Sequence, residues 1–402
     1  MKVLFVNLVY GAGSTGKIIA DIMNLLKKYG NDVKALYGTG ACSDNADAVK
    51  VSGDLGFYFH NAVSRFTDHA GLYSWAATRK MIREIRAFQP DLIHLHTLHG
   101  FYVNYEMLFR FLKEANIPVV WTLHDCWTFT GHCTHFSQVK CMQWQTECRD
   151  CELLYRYPQC YWKGDVRRNF LRKKAAFTGV KNLTITTPSQ WLADQVSRSF
   201  LQNYPRTVIP NGIDRMIFSP QPSGLREKYH LEDKKIVLGV ANAWNARKGL
   251  PDLLTLAGRL GSDYQLVLIG LIEKQLQDIP SDVLGLLRTA NQTELAQWYS
   301  AADVFVNPTY EETFGLTTVE AQACGTPVVV YETDGCPETV APGNGRMVPQ
   351  GDMQALENAV RDVAGSNWRA DPKKMARFDK DAVYQGYVEL YENVLSTLKK
   401  GV

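Results

Sequence analysis

Short apolar runs alternate with amphipathic stretches through two successive parts of this chain, and that pattern leaves few folds open. In the first part strands are expected at 2–10, 32–37, 92–96, 119–123 and 183–187. Helices are expected at 17–28, 73–88, 105–115 and 165–177, and another begins at Gln190, where Ser189 is placed to cap it. The pattern pauses over 205–228, where Pro210, Asn211-Gly212, Pro220 and Pro222 are turn signals. It resumes with strands at 236–240, 265–269, 284–287, 304–306 and 327–330. Helices at 249–259, 294–300, from Leu316, at 353–363 and after Asp381 accompany them. Apolar strands alternating with helices at this spacing build parallel sheets covered on both faces. With 402 residues, two such domains are expected, 1–210 and 211–380, with a helix at 381–402 packing back on the first. A ligand between them, at the carboxyl ends of the strands, is the usual arrangement. Two segments fall outside the pattern. The polar, turn-rich 38–59 reads as surface loop, and 130–161, rich in cysteine and aromatics, reads as an insertion.

The composition narrows the function. A net charge of +3 argues against wide nucleic-acid coverage but permits a local basic patch. No apolar run approaches the roughly 18 residues of a transmembrane helix. The apolar start alternates into a glycine turn and lacks a cleavage region, so it reads as a buried strand rather than a signal peptide. A reducing cytoplasm is then expected, which weakens a disulfide reading of the nine cysteines.

The segment 307–338 carries the most chemistry. Glu312 precedes a tight Phe314-Gly315 turn, a helix is expected from Leu316, and a second carboxylate follows at Glu320. Free amides at a helix start suit phosphate oxygens, and the carboxylates accept from sugar hydroxyl pairs. A nucleotide sugar satisfies both. Near the amino terminus, Gly11 to Lys17 nearly matches a P-loop, but Ile18 stands where that loop needs a magnesium-binding hydroxyl. Gly13 and Gly16 are read instead as bringing amides close to a donor or acceptor, or as permitting tight strand–helix packing.

With these residues in view, the chain resembles the retaining glycosyltransferases of group 1, or family 4. The match runs through Glu312, Phe314-Gly315, Glu320, Ala321, Ala323, Gly325, Thr326-Pro327 and Val328-Val329. Supporting stretches are 208–214, 187–189, 302–304 and Arg247-Lys248-Gly249. The stretch 122–127 and the cysteines after it look most like the subgroup that builds bacterial exopolysaccharide, including colanic acid. The resemblance implies the GT-B fold, two facing Rossmann-like α/β domains with a deep cleft. It implies transfer of a hexosyl unit from a nucleotide diphosphate sugar, with a UDP- or GDP-sugar as donor, to a glycan or lipid-linked saccharide in surface polysaccharide or lipopolysaccharide biosynthesis. By the same resemblance Glu312 holds donor-sugar hydroxyls, Glu320 the ribose and Lys248 the diphosphate. Phe314, Gly315 and Leu316 present amides, and His124 lies near the transferred sugar. One departure is Asn242, where many members carry an arginine. Whether Arg247 replaces it stays open. No catalytic metal is expected. A non-catalytic carbohydrate-binding protein and a sugar-nucleotide epimerase are the competing readings.

His94 and His96 alternate onto one face of a strand, either lining a cleft or serving as satisfied structural residues. Asp125 either orients His124, faces an acceptor or caps a turn. Cys133, Cys141, Cys148 and Cys151 run C-x7-C-x6-C-x2-C, a spacing open to structural zinc, to buried thiols or to disulfides. Lys163, Arg167, Arg168, Arg172, Lys173 and Lys174 lie among aromatics. They suit either an anionic membrane surface or a solubilising helix face, so the expected location is cytoplasmic or peripheral at the inner face of the plasma membrane.

Overall fold

The computed structural model describes residues 1–41 and 44–400, so Cys42 lies outside the described residues. The chain forms two compact units. One comprises Met1–Pro210 together with the residues from Val383 onward, and the other is Asn211–Ala382.

In chain order the first unit contains β1 (Lys2–Asn7), α1 (Gly13–Lys28), β2 (Asp32–Tyr37), β3 (Ala48–Lys50), α2 (Asp54–Thr67) and α3 (Trp75–Phe88). Then come β4 (Leu92–Leu95), α4 (Tyr105–Ala115), β5 (Val119–Thr122), α5 (Val166–Phe177), β6 (Leu183–Thr187), α6 (Gln190–Ser197) and β7 (Arg206–Val208). The sheet is parallel, in the order β3-β2-β1-β4-β5-β6-β7. Its inner strands β1, β4 and β5 are buried and largely apolar because both faces are covered. One cover comes from the end of the chain: Tyr384, Tyr387, Val388 and Tyr391 share a core with Val3, Phe5 and Ile18.

The second unit runs α7 (Leu225–Lys228), β8 (Lys235–Val240), α8 (Leu250–Leu260), β9 (Tyr264–Ile269), α9 (Glu273–Asp278), β10 (Leu284–Leu286) and α10 (Gln292–Ala301). It continues with β11 (Val304–Asn307), α11 (Leu316–Ala323), β12 (Val328–Tyr331), β13 (Gly345–Val348) and α12 (Met353–Gly365). Its parallel sheet is ordered β10-β9-β8-β11-β12-β13. A last helix, α13 (Lys380–Lys400), begins here and supplies the tyrosines just named to the first unit.

The structure departs from the sequence reading in several places, among them the short α9 and the edge strand β13, which were not anticipated. The 38–59 segment is not all loop, since it contains β3 and the start of α2. On α2 only His60 and Ser64 are fully buried while apolar residues lie on both sides of the helix, Phe57 on the core and Leu55, Tyr58, Phe59 and Phe66 in solvent, so its period went unread. The 205–228 pause contains β7, an edge strand on β6 too short to show alternation.

Candidate functional site

In each sheet the strand order reverses once, between β1 and β4 and between β8 and β11. Loops leaving the carboxyl ends at such a switch point are where ligands bind in open α/β sheets. His96, Lys248 and Glu312 sit on such loops, after β4, β8 and β11, while Glu320 lies on α11 and His124 follows β5.

In the second unit the chain leaves β8, caps a turn with Asn245 Oδ1 accepting from Lys248 N at 3.0 Å, and enters α8 through Gly249. Gly249 has a φ of +73°, and a Cβ there would sit 2.1 Å from the Pro308 carbonyl oxygen. Glycine thus lets the turn lie flat against the loop after β11. Further hydrogen bonds strap the two loops together. Tyr310 N donates to the Arg247 carbonyl at 2.8 Å, and Arg247 Nη1 donates to the Glu311 carbonyl at 2.9 Å. The result brings Lys248 Nζ onto Glu312 Oε2 as a partly buried ion pair. Of the two adjacent carboxylates, Glu311 is fully buried and Glu312 stays half-accessible. The Glu312 backbone is fixed by Asp334 Oδ2, which accepts its N–H at 3.1 Å, and by Gly335 N, which donates to its carbonyl at 3.0 Å.

Phe314 packs into the core against Phe378, with ring centroids 5.7 Å apart. Gly315 follows at φ +93°, starting α11 with no side-chain cap and no acid in the first turn. The helix thus brings no acid of its own to the amides of Leu316 and its neighbours, and such a start favours an anion. Glu320 lies one turn further on, where Tyr299 O–H donates to its Oε2 at 3.0 Å. Burial, then the Glu320 charge, push the Tyr299 phenol up, so it stays a donor. Nothing in the sequence near Tyr299 marked that role, because its partner is on another helix. Asn242, at the position of the missing arginine, is exposed.

In the first unit His96 and His124 follow the ends of the neighbouring strands β4 and β5. Their Nδ1 and Nε2 atoms are 3.0 Å apart, with rings within 16° of coplanar and centroids 5.3 Å apart. That separation is the one expected of two imidazoles joined edge to edge by an N–H···N bond. His96 Nε2 is buried with no partner. A buried bare lone pair costs less than a buried orphan N–H, so the His96 proton belongs on Nδ1 and is donated to His124 Nε2. His124 then carries its own proton on Nδ1, as a donor. Burial keeps both rings neutral, with His124 held down at about 4.

His94 proves to be structural. It is fully buried, with Nε2 2.7 Å from Thr122 Oγ1 and Nδ1 2.7 Å from the Tyr391 hydroxyl. Asp125 accepts from Trp127 N at 2.9 Å, capping a turn, and pairs with His99 Nε2 at 2.7 Å. Burial pushes its carboxyl up, but His99, His135 and the Trp127 N–H together outweigh burial and hold it at about 2. Gly13 opens α1. Gly16 is buried there, and a Cβ on it would come within 3.1 to 3.2 Å of Val9 and the Gly11 N, so its place is explained by tight packing of helix on turn.

The zinc reading of Cys133, Cys141, Cys148 and Cys151 finds no support. Among the described residues no group of three or more His, Cys, Asp or Glu side chains is arranged to hold a metal ion. Cys133 and Cys151 hydrogen-bond each other, an interaction that together with burial pushes the Cys133 thiol up. Cys148 accepts from Gly131 N at 3.3 Å, and burial keeps it a thiol. Cys141 is half-buried against the core, and the described cysteines are free rather than disulfide-bonded. The insertion is ordered by other contacts. Phe136 stacks on Trp144 at 4.8 Å, His132 pairs with buried Asp68, and buried Lys173 donates to the carbonyls of Trp127 and Thr130 at 2.7 and 3.1 Å.

Comparison with known proteins agrees with this architecture. A family model described as Glycosyltransferase Family 4 matches residues 16–216, and one described as Glycosyl transferases group 1 matches residues 224–382. The D-inositol 3-phosphate glycosyltransferase 2 of Catenulispora acidiphila is 40% identical over 104 residues, 26% of this chain and 23% of that protein's length. WcaC of Escherichia coli strain K12, a glycosyl transferase assigned to colanic acid biosynthesis, is 23% identical over 326 residues, 77% of this chain and 78% of WcaC. Among solved structures, Anabaena HepE in complex with UDP-glucose superposes with a TM-score of 0.67 at 19% identity, covering 98% of this chain and 100% of HepE.

Proposed function

We propose that this chain, which belongs to the glycosyltransferases of family 4 and group 1, transfers a hexosyl unit from a UDP- or GDP-sugar to a glycan or lipid-linked saccharide, with retention at the anomeric carbon. The observation that carries the proposal is the Lys248–Glu312 pair beside the uncapped start of α11. A diphosphate sugar offers each partner a better counterpart. Its phosphate oxygens take Lys248 and the amides at Leu316, and its sugar hydroxyls donate to Glu312. As the nucleoside diphosphate departs, charge grows on its oxygens. Preorganised donors at that point stabilise the transition state more than the ground state. Glu320, held by Tyr299, accepts from the ribose hydroxyls. His124 donates from Nδ1 to a hydroxyl of the transferred sugar.

Retention then follows from same-face attack, with the departing phosphate taking the acceptor proton. A double displacement needs a carboxylate against the anomeric carbon, and Glu312 is assigned to hydroxyl binding. The similarity to WcaC supports a role in surface polysaccharide synthesis, and the UDP-glucose held by HepE supports a nucleotide-sugar donor. Among the described residues no helix is long and apolar enough to cross a membrane. Work on the cytoplasmic face, on a lipid-linked acceptor, fits the proposal.

Saturation-transfer NMR against UDP-, GDP-, ADP- and dTDP-sugars, without added metal, tests it. One donor bound selectively by the wild type and lost in Lys248→Ala is the expected result. No donor bound by folded protein overturns the diphosphate assignment. Once an acceptor is found, the anomeric proton coupling of the product decides between retention and inversion.

A further inference from the structure

Helix α2 is apolar on the wrong side as well as on the right one. The side it turns to the protein holds Phe57, packed on Phe101 with ring centroids 6.0 Å apart, and buried Ser64 and His60, the latter held by polar contacts. Gly71 N donates to His60 Nε2 at 3.1 Å, and His60 Nδ1 lies 2.7 Å from Ser74 Oγ. The side it turns to solvent is apolar. Leu55 is 89% exposed, Tyr58 66%, Phe59 61% and Phe66 62%, with exposed Ala62 between them. These positions follow helical spacing, so they form one stripe along the helix. The stripe continues onto the end of the insertion. Phe66 meets Tyr161 with ring centroids 6.3 Å apart, and Trp162 beside it is 74% exposed. Cations border it: Arg65 Nη1 donates to the Tyr161 hydroxyl at 2.8 Å, and Lys163 and Arg168 are exposed. The acid on α2, Asp54, is paired with Lys50 at 2.8 Å.

We propose that this face seats the protein on an anionic lipid bilayer. Contiguous exposed apolar surface of this kind is rare on soluble proteins without a use. A convex helix ridge offers no groove for a peptide. Leu and Phe enter the acyl boundary, Tyr and Trp suit the headgroup level, and the adjacent Arg and Lys attract anionic lipid. A second copy is a poorer occupant, because a two-fold contact would set Arg65 and Lys163 near their own equivalents. The inference rests on the proposed function only for its purpose, delivery of the enzyme to a lipid-linked acceptor. The docking itself is tested without turnover.

The test is sedimentation with vesicles of phosphatidylcholine alone or mixed with phosphatidylglycerol, alongside Trp fluorescence. Wild-type protein should bind the anionic vesicles, with a blue shift of emission as Trp162 leaves water, and high salt should weaken binding. The variant Leu55→Ser/Tyr58→Ser/Phe59→Ser/Phe66→Ser should bind at least about tenfold more weakly. These side chains are exposed, so its circular dichroism and nucleotide-sugar binding should be unchanged. In folded protein, absence of wild-type binding to anionic vesicles, or unchanged binding by the variant, overturns the proposal. So does a concentration-dependent dimer that the variant abolishes, which would assign the face to a second copy. Loss of donor binding in the wild type would instead strike the proposed function and leave the vesicle result standing.

Discussion

Replacing His96 by Leu should make the protein a worse catalyst with little change in stability. His96 is buried, and its Nε2 has no partner. Leu fills a similar volume without that orphan, which costs about 1–3 kcal/mol, but it takes the donor away from His124 Nε2 at a similar cost. The two nearly cancel, so the melting temperature should move by no more than a few degrees. The same change removes the donor that sits 3.0 Å from His124 Nε2. A neutral hydrogen bond biases the His124 tautomer by about 1 kcal/mol, and at roughly tenfold per 1.4 kcal/mol its loss should lower kcat about two- to fivefold. The donor KM should hardly move, since the nucleotide contacts are elsewhere. His96→Asn, which keeps an amide N–H near the Nδ1 position, should recover most of the rate. Long-range proton–nitrogen NMR of labelled histidines reads the tautomers directly, and both His96 and His124 should show the Nδ1–H form. Nε2–H at His124 in the wild type, or full activity in folded His96→Leu, refutes the reasoning.

Glu312→Gln should keep the fold and cut turnover at least about tenfold, because an amide holds sugar hydroxyls without the charge. Steady-state kinetics with the cognate donor checks this, and unchanged turnover removes the role. Tyr299→Phe takes away the hydroxyl that donates to Glu320 at 3.0 Å. Donor affinity measured by calorimetry should fall about tenfold, consistent with a hydrogen bond to a charged group, and no change would assign Tyr299 to packing alone. Burial holds His60 down at about 4. An unfolded histidine titrates near 6.5, so the unfolded state binds the proton first, and the stability tied to neutral His60 is complete above about pH 6.5 and lost as pH falls towards 4. Urea titrations at neutral pH and about pH 5 should show about 2 kcal/mol more loss in the wild type than in His60→Asn. Equal losses would refute the assignment.

The α/β class was legible because it is written locally. Fully apolar strands and amphipathic helices announce themselves within about ten residues, and alternation of the two dictates a covered parallel sheet. The Phe314-Gly315 turn was legible for a similar reason, since a left-handed residue before a helix start is a demand that glycine answers. The α2 helix was misread because its outward face is apolar as well as its inner one. The cysteine spacing left three readings open because spacing says nothing about where a thiol points. In the fold, two thiols face each other and a third faces a backbone N–H.

By itself the sequence determined the two parallel sheets, the helices that cover them and the uncapped start of α11, all products of short-range periodicity and backbone freedom. Only the tertiary structure decided which side chains meet. It set Lys248 on Glu312 from the ends of β8 and β11, Tyr299 on Glu320 from another helix, and His96 on His124 from the ends of β4 and β5. It also left the apolar stripe of α2 in water. Those pairings join residues 64, 21 and 28 positions apart. They depend on strand order and on the approach of loops, which no local pattern encodes.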